Sequence, residues 1–520
     1  MNVVKNRMNV TVVKGAKNVQ TIIDTDMNVP DSKPDIEKII ATRQEVMIQN
    51  VEVMVDKLKV EGKVQVSMLY ATYGEKPTLA SFIQSVSFDE MIHMDGVLPM
   101  DMVKVTGMVE DSTISIINSR KLGIKGILSL FVSASDVDLM EGCVEIQDEK
   151  VQQLQKKIHL SSMVVNKKDS ARIKEKIILP NNKPNIGKVI WYDIQMSHPE
   201  IKIQDGMVPI RGDLQMFLLY EAADQQIPIQ CLEYEMAFHT NVECSEARES
   251  MIENIGVTIG SKQMDVKADE DGEERLLELE LSLDLDMKIY DDIYTDLLWD
   301  AYIPAGNLKL DKKKFHYEKL LMKNSGKTKI NKRIRLGENQ PDVMQLCHVD
   351  GSVKVDESRV VENGILVEGI LEVNAIYISN QDHTPLNSIV TVIPFSYTVE
   401  TAPLNNTDHY DMQVSLDQLT GTVLDGEEIE YKGTINVTVL TFEKEEMDLI
   451  VGTEEETFDI EEFQRMPGMV GYYVKEGDTL WKIAKRYHTT VDTIRQMNEL
   501  TNDDLAIGDR LIIVKDCNMV

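Results

Sequence analysis

Residues 31–40 read DSKPDIEKII, residues 181–190 read NNKPNIGKVI and residues 338–347 read ENQPDVMQLC. Each stretch carries a proline, Pro34, Pro184 or Pro341, followed by Asp or Asn and then a branched aliphatic residue. The likeness continues without gaps: a glycine lies 28 positions after each proline (Gly62, Gly212, Gly369), a tyrosine 36 after (Tyr70, Tyr220, Tyr377) and a phenylalanine 54 after (Phe88, Phe238, Phe395). The copies begin 150 and 157 residues apart, so each is a domain-sized unit and not a rung of a solenoid.

Within each copy two periodicities follow one another. After the proline, apolar residues recur at the second, fifth and sixth positions (Ile36, Ile39, Ile40; Ile186, Val189, Ile190; Val343, Leu346, Cys347). That spacing predicts one face of a short helix, with proline in its first turn, where a missing amide hydrogen costs nothing. After each glycine the period becomes two, as in Val64, Val66, Met68 and Tyr70, which predicts a half-buried strand. Leu277, Leu279, Leu281, Leu283, Leu285, Met287 and Ile289 repeat that signal, as do Ile435, Val437 and Val439. The expected fold class is mainly β: three repeated β-rich domains, each a sandwich or partial barrel with a short helix, followed by a small α+β module of βααβ order. The corresponding divisions are an N-terminal segment at 1–20, repeats at 21–165, 166–325 and 326–445, an acidic linker at 446–468 and the module at 469–516. The run EKEEMDLIVGTEEETFDIEEF at 443–463 motivates the linker, because like charges in series keep a chain extended and solvated, with a final edge strand around Leu449 to Val451 as the competing reading.

Composition limits what such a chain does. Lys and Arg total 55 against 87 Asp and Glu, a formal charge of -32 that repels phosphate backbones and anionic headgroups, so nucleic acid is excluded as a natural partner. Apolar residues at 42% are enough to build cores. The N-terminal MNVVKNRMNVTVVKGAKNVQ has no continuous apolar stretch of signal-peptide type, and no window approaches 18 apolar residues, so neither export by that route nor a transmembrane segment is expected. Five scattered cysteines, 143, 231, 244, 347 and 517, do not form a disulfide framework and fit a reducing cytoplasm.

The tail reads YYVKEGDTLWKIAKRYHTTVDTIRQMNELTNDDLAIGDRLIIV from Tyr472. A strand enters a Gly-Asp turn, Thr479 caps a helix with apolar Leu480, Ile483, Ala484 and Tyr487, and Thr490 caps a second with Val491, Ile494 and Met497. A turn at Gly508-Asp509 leads into Leu511, Ile512 and Ile513 as a closing strand. The Y-x-V-x-x-G-D-T-L-W-x-I-A start, the N-x-L after the second helix and the I-G-D-x-L-x-I finish resemble the LysM family nearly end to end. That resemblance implies binding of N-acetylglucosamine polymers in a groove between the turn after the first strand and the loop after the second helix. Carried over, one wall would be Gly477, Asp478, Thr479 and Leu480, and the other Leu505, Ala506 and Ile507. Trp481, beside the groove, suits sugar stacking or a protein contact, with core packing as the plainer role.

Three β-rich units with this proline signature, followed by a LysM module, resemble the SipL family of clostridial spore-coat morphogenetic proteins, built of SPOCS-type repeats. The resemblance implies a non-enzymatic scaffold in the mother-cell cytoplasm, at the forespore surface. It implies as partner a SpoIVA-like coat-basement ATPase, docked through the LysM module, together with other coat proteins. The alternative it leaves is binding of peptidoglycan in wall or cortex.

Motifs of other chemistries fail on spacing. Asp24, Asp26 and Asn28 imitate a calcium loop, yet Val29 stands where glycine is needed and Asp35 where a bidentate Glu belongs. Gly256, Gly260, Ser261 and Lys262 have the wrong order for a phosphate loop. Arg211-Gly212-Asp213 contains merely the recurrent glycine, and Cys231, His239, Cys244, Cys347 and His348 lack paired ligand spacing. The 87 acids give too many pairs for glycosidase carboxylates to be singled out. No catalytic residue, cofactor or metal is expected.

Overall fold

The computed structural model describes residues 2–74, 78–223, 229–337, 340–379, 386–405 and 408–515; Cys517, Glu338, Asn339 and position 516 of the expected module lie outside the described residues. The first repeat holds β1 (Val3–Asn28), β2 (Ile36–Met54), β3 (Lys57–Thr72), β4 (Leu79–His93), β5 (Met102–Asn118) and β6 (Lys121–Ile146). These form two antiparallel three-stranded sheets, β2-β3-β4 and β1-β6-β5. The second repeat contributes β7 (Gln152–Ile178), β8 (Ile186–Ile201), β9 (Met207–Ala222), β10 (Ile229–Glu243), β11 (Ile252–Ala268) and β12 (Glu274–Tyr302). The third contributes β13 (Asn307–Arg335), β14 (Val343–Val361), β15 (Gly364–Ser379), β16 (Leu386–Glu400), β17 (His409–Asp425) and β18 (Glu428–Glu456). Both repeat the pattern, as β8-β9-β10 with β7-β12-β11 and β14-β15-β16 with β13-β18-β17. In each repeat the two sheets pack face to face: Val64, Val66, Met68 and Tyr70 of β3, for instance, meet Ile124, Leu128, Leu130 and Val132 of β6.

The recurrent residues explain themselves in this sandwich. Gly62, Gly212 and Gly369 sit directly across from Phe88, Phe238 and Phe395 on the neighbouring strand. A Cβ on Gly62 would come within 2.4 Å of the Phe88 ring, and one on Gly212 within 2.9 Å of Phe238, so the aromatic ring lies over the bare backbone. The buried Tyr70 and Tyr220 hydroxyls donate to the carbonyls of Pro34 and Pro184 at 2.8 and 2.9 Å, latching the proline turn to the sheet.

Where a short helix was expected after each proline, the chain is strand (β2, β8, β14). The cause is a pair of β-bulges in the same place in every copy: at Ile36/Lys38 and Ile39/Ala41, at Ile186/Lys188 and Val189/Trp191, and at Val343/Gln345 and Leu346/His348. Each bulge inserts one residue and turns a period of two into a step of three, which imitates helical spacing. The bulges also divide the apolar residues between two cores, Ile36 and Ile39 facing the sandwich and Ile40 facing the neighbouring repeats.

Those neighbours close a ring. β4 packs on β8, β10 on β14 and β16 on β2, so each repeat meets the next and the third meets the first. Equivalent residues of all three, Ile40, Leu69, Ile190, Leu219, Cys347 and Ile376, make a shared core. The long strands run past the sandwiches and form a second shared core from Met8, Val10, Leu160, Leu297, Phe315 and Leu449. Residues 3–20 therefore belong to β1, the expected cuts at 165 and 325 fall inside β7 and β13, and the first part of the expected acidic linker lies in β18. Its charges are met across the ladder by β13, where Lys309, Lys314 and Lys319 pair with Glu454, Glu446 and Glu443. The rejected motifs fall in strands as well: Asp24 and Asp26 pair with Lys125 and Lys121, and Ser261 lies in an irregularity of β11 between Ile259 and Lys262.

Charged residues meet where the repeats converge. Nine positions after their prolines, the three copies carry Arg43, Asp193 and Asp350. The Arg43 guanidinium pairs with Asp193, which is only 4% exposed, and also lies 2.9 Å from Glu45. Lys262 Nζ is 3.0 Å from Glu45 and 3.7 Å from Asp193, while His348 lies 3.0 Å from Glu233 through Nδ1 and stacks on the buried Phe217 at 4.2 Å. Asp193, His348 and Asp350 bring ligand atoms within 4.8 Å of one another, but Arg43 and Lys262 supply the positive charge such a trio would otherwise recruit. Burial opposes the charge on Asp193, yet the His348 imidazolium and Arg43 outweigh it and hold the carboxyl well below its usual range. Burial likewise works against the charge on His348, but Asp193 and Glu233 push it up to about 9.

His348 stability is therefore fully present below its ordinary pKa and is lost as pH rises through about 9. Asp193 acts oppositely, losing stability below about pH 4, and the raised Asp350 weakens the fold as pH rises above the ordinary carboxylate value. Between pH 7 and 9.5 the wild-type chain is expected to lose about 2 kcal/mol more unfolding stability than His348→Gln. Denaturant titrations of both proteins at the two pH values check this, and parallel pH profiles would refute it.

Candidate LysM groove and its docking

After β18 the chain forms α1 (Ile460–Arg465), capped by Asp459, then β19 (Met469–Tyr473), α2 (Leu480–Arg486), α3 (Val491–Met497) and β20 (Arg510–Val514). β19 and β20 pair antiparallel, and Leu480, Ile483, Ala484, Ile494, Leu511 and Ile513 form the core beneath them. Thr479 Oγ1 accepts from Lys482 N at 3.2 Å and Thr490 Oγ1 from Thr493 N at 3.0 Å, the two expected caps. The Asn498 side chain accepts from Ile512 N and donates to the carbonyls of Ile494 and Ile512, so the Asn of the N-x-L motif ties α3 to β20.

The two proposed walls stand side by side because Val474 N donates to Asp509 O and Gly508 N donates to Val474 O. On the first wall Gly477 turns the chain at φ +79°, and Asp478 Oδ2 accepts from Tyr472 Oη at 2.7 Å and Lys475 N at 2.8 Å. The Tyr472 hydroxyl holds the Asp478 carboxyl below its usual range. Gly477 and Thr479 are exposed, Asp478 is half-buried and Leu480 is core. On the second wall Ala506 N donates to Asp509 Oδ2 at 2.8 Å, Leu505 packs against the core, and Ala506 and Ile507 are exposed, Ile507 to 74%. The groove is thus an exposed rim of backbone and small side chains around a buried Leu480.

Trp481 faces elsewhere. Its Nε1 donates to Asp300 Oδ2 at 2.8 Å, and its ring meets Tyr302 edge-on at 4.9 Å, both residues lying at the end of β12. Lys485 Nζ donates to Asp300 Oδ1 at 2.6 Å, Tyr302 Oη donates to Thr489 O at 2.8 Å, and His488 Nδ1 lies 3.0 Å from Pro304 O. Trp481, Lys485, His488 and Thr489 therefore make one face that seats the module on the second repeat. The expected free tether is absent from 457–468 as an extended segment: α1 buries Phe463, and Lys515 Nζ donates to Phe463 O at 2.6 Å. Sequence reasoning missed this seat, since Asp300 and Tyr302 lie about 180 residues before their partners and belong to no motif.

The SipL, SPOCS domain model matches residues 35–117, 185–268 and 342–424, and the LysM domain model matches residues 472–514. The chain is built of three SipL SPOCS domains and a C-terminal LysM domain. The SPOCS matches start one residue after each proline and end in β5, β11 and β17, so each covers the first sheet and one strand of the second. Over the LysM region, 40 residues are 55% identical to "Probable endopeptidase p60" of Listeria seeligeri, covering 8% of this chain and 8% of that protein. No solved structure matches. Among the described residues, no helix is long and apolar enough to cross a membrane. The SPOCS domains imply a part in spore-coat morphogenesis, and SipL-type proteins are structural and morphogenetic.

Proposed function

We propose that this protein is a non-enzymatic scaffold that docks coat layers on the forespore from the mother-cell cytoplasm, and that its LysM groove binds a SpoIVA-like coat-basement ATPase. One observation carries the reading: the groove rim is left exposed while Trp481 fastens the module to a closed ring of three SPOCS domains. A module held in one orientation presents its groove at a set position relative to the ring, which suits a layer-to-layer connector and lowers the ordering cost of binding. The SPOCS ring offers other coat proteins three related but non-identical outer faces. A second reading, supported by the LysM match itself, is that the same groove takes peptidoglycan or another N-acetylglucosamine polymer. The groove contacts assigned are Gly477, Asp478, Thr479, Leu505, Ala506 and Ile507 over Leu480, with Trp481 as their positioning residue.

Ile507→Asp separates these readings from a purely structural module. Ile507 is 74% exposed, so its replacement leaves the unfolding midpoint unchanged, whereas a charge placed on the rim is expected to weaken the true ligand by about tenfold or more, roughly 1.4 kcal/mol. Pull-down with the ATPase and co-sedimentation with purified peptidoglycan, using the full chain, give the answer. Loss of ATPase binding alone supports the first reading and loss of glycan binding alone the second. If Ile507→Asp binds both as wild type does, the groove assignment fails.

A further inference from the structure

The three junctions of the ring share one plan, and one pair of side chains departs from it in a way that carries chemistry. In the first junction Ser81 Oγ of β4 donates to Ile190 O of β8 at 2.5 Å, and where the third repeat meets the first, Ser388 Oγ of β16 donates to Ile40 O of β2. Both serines stand 47 positions after their repeat's proline, and both isoleucines stand six after theirs. In the junction of the second repeat with the third, those positions hold Cys231 of β10 and Cys347 of β14. The same register brings Cys231 and Cys347 together where β10 packs on β14, and the two thiols interact there. Both cysteines pack in the core shared by the repeats, with Gln345 Nε2 4.0 Å from Cys231 Sγ. Cys347 is 5% exposed, while Cys231 is only partly buried.

We propose that Cys231 and Cys347 form an oxidisable pair whose closure to a disulfide staples the second SPOCS domain to the third. The oxidant is a peroxide. The Cys231 thiolate attacks a peroxide oxygen, taking the O–O bond's leaving electrons to water and becoming a sulfenic acid. The Cys347 sulfur then attacks that sulfenic sulfur, forming the S–S bond and releasing a second water. Overall, two thiols and one hydrogen peroxide give one disulfide and two waters. Cys231 suits the first step: the hydrogen bond from Cys347 brings its thiol down to about 7 against the effect of burial, and Lys183 adds to the lowering. Cys347 stays a thiol until the sulfenic acid forms, because its bond to Cys231 and its burial push it up. Cys143, by contrast, is fully buried and its thiol is raised by burial. The closed loop spans more than a hundred residues, the range in which a crosslink restricts the unfolded chain most.

The test uses the full chain, treated with hydrogen peroxide, alkylated and mapped by mass spectrometry without reduction. The expected result is a crosslink between the Cys231 and Cys347 peptides, two hydrogens lighter than their sum and cleaved by dithiothreitol. The melting temperature of the oxidised chain is expected to rise by roughly 3–8 °C. Cys231→Ser should abolish both effects and still fold, since serine already occupies that position in the other two repeats. Cys347→Val, with an aliphatic as in those repeats, is the matching second variant, and the crosslink should persist in Cys517→Ser. Over-oxidation of Cys231 with Cys347 still alkylated, a disulfide to any other cysteine, or a thermal shift that survives in Cys231→Ser would overturn the proposal.

Discussion

Replacing Arg43 with methionine is expected to cost the ring about 3–5 kcal/mol, the usual consequence of leaving a buried charge without its partner. Arg43 is the one cation among the three equivalent positions, facing Asp193 and Asp350, and Asp193 is 4% exposed. Water does not reach Asp193 to take over that role. Lys262 is 3.7 Å from the nearest Asp193 oxygen and already pairs with Glu45, and the His348 imidazolium, 3.9 Å away, attracts the carboxylate without filling the place of the Arg43 contact. The cost belongs to stranded charge and not to lost attraction, so Arg43→Met combined with Asp193→Leu should regain most of it. Denaturant midpoints of the two single variants and the double variant check this. A single-variant loss under about 1 kcal/mol, or no recovery in the double variant, would refute the account.

Trp481→Ala is expected to free the LysM domain from the ring without unfolding it. The substitution removes the indole from Tyr302 and the hydrogen bond to Asp300, a loss of about 2–4 kcal/mol for a largely buried aromatic with a polar partner. What remains is the Tyr302–Thr489 hydrogen bond, the Lys485–Asp300 pair and the His488 contact, the ion pair being partly exposed and worth little. Amide exchange should quicken at 298–304 and 485–490 while the pairing of β19 with β20 stays protected, and proteases should cut between 457 and 468. Trp481→Phe keeps the ring contact and should fall between wild type and Ala. Because the groove rim takes no part in the seat, the released module should still bind its ligand, several-fold more weakly for want of the fixed orientation. Unchanged exchange together with lost ligand binding would make Trp481 a contact residue instead.

The helical reading after Pro34, Pro184 and Pro341 marks where local pattern misleads. A spacing of two, five and six is what one helix face gives, and it is also what a strand with two bulges gives when its apolar residues serve two cores. Nothing within ten residues separates these cases, because the partner that makes Ile40 buried lies in another repeat. In the acidic run the strand reading at Leu449 to Val451 holds and the linker reading of its first part does not, for a related reason: its charges are neutralised by Lys309, Lys314 and Lys319 on a strand more than 120 residues earlier. The LysM module was legible down to its caps and turns, since those devices act over three or four residues. Its seat on the ring was not.

By itself, the sequence determined that there are three like units and one unlike tail, because the recurrent Gly-Phe pairs, the proline latch and the helix caps are set by short-range sterics and hydrogen bonding. Only the tertiary structure decided that the units close on one another, that Arg43 lies among two acids, and that Trp481 faces Asp300. Those contacts join residues from about 150 to more than 300 positions apart, and their strength comes from excluding water around groups that look like ordinary surface charge until the chain has folded over them.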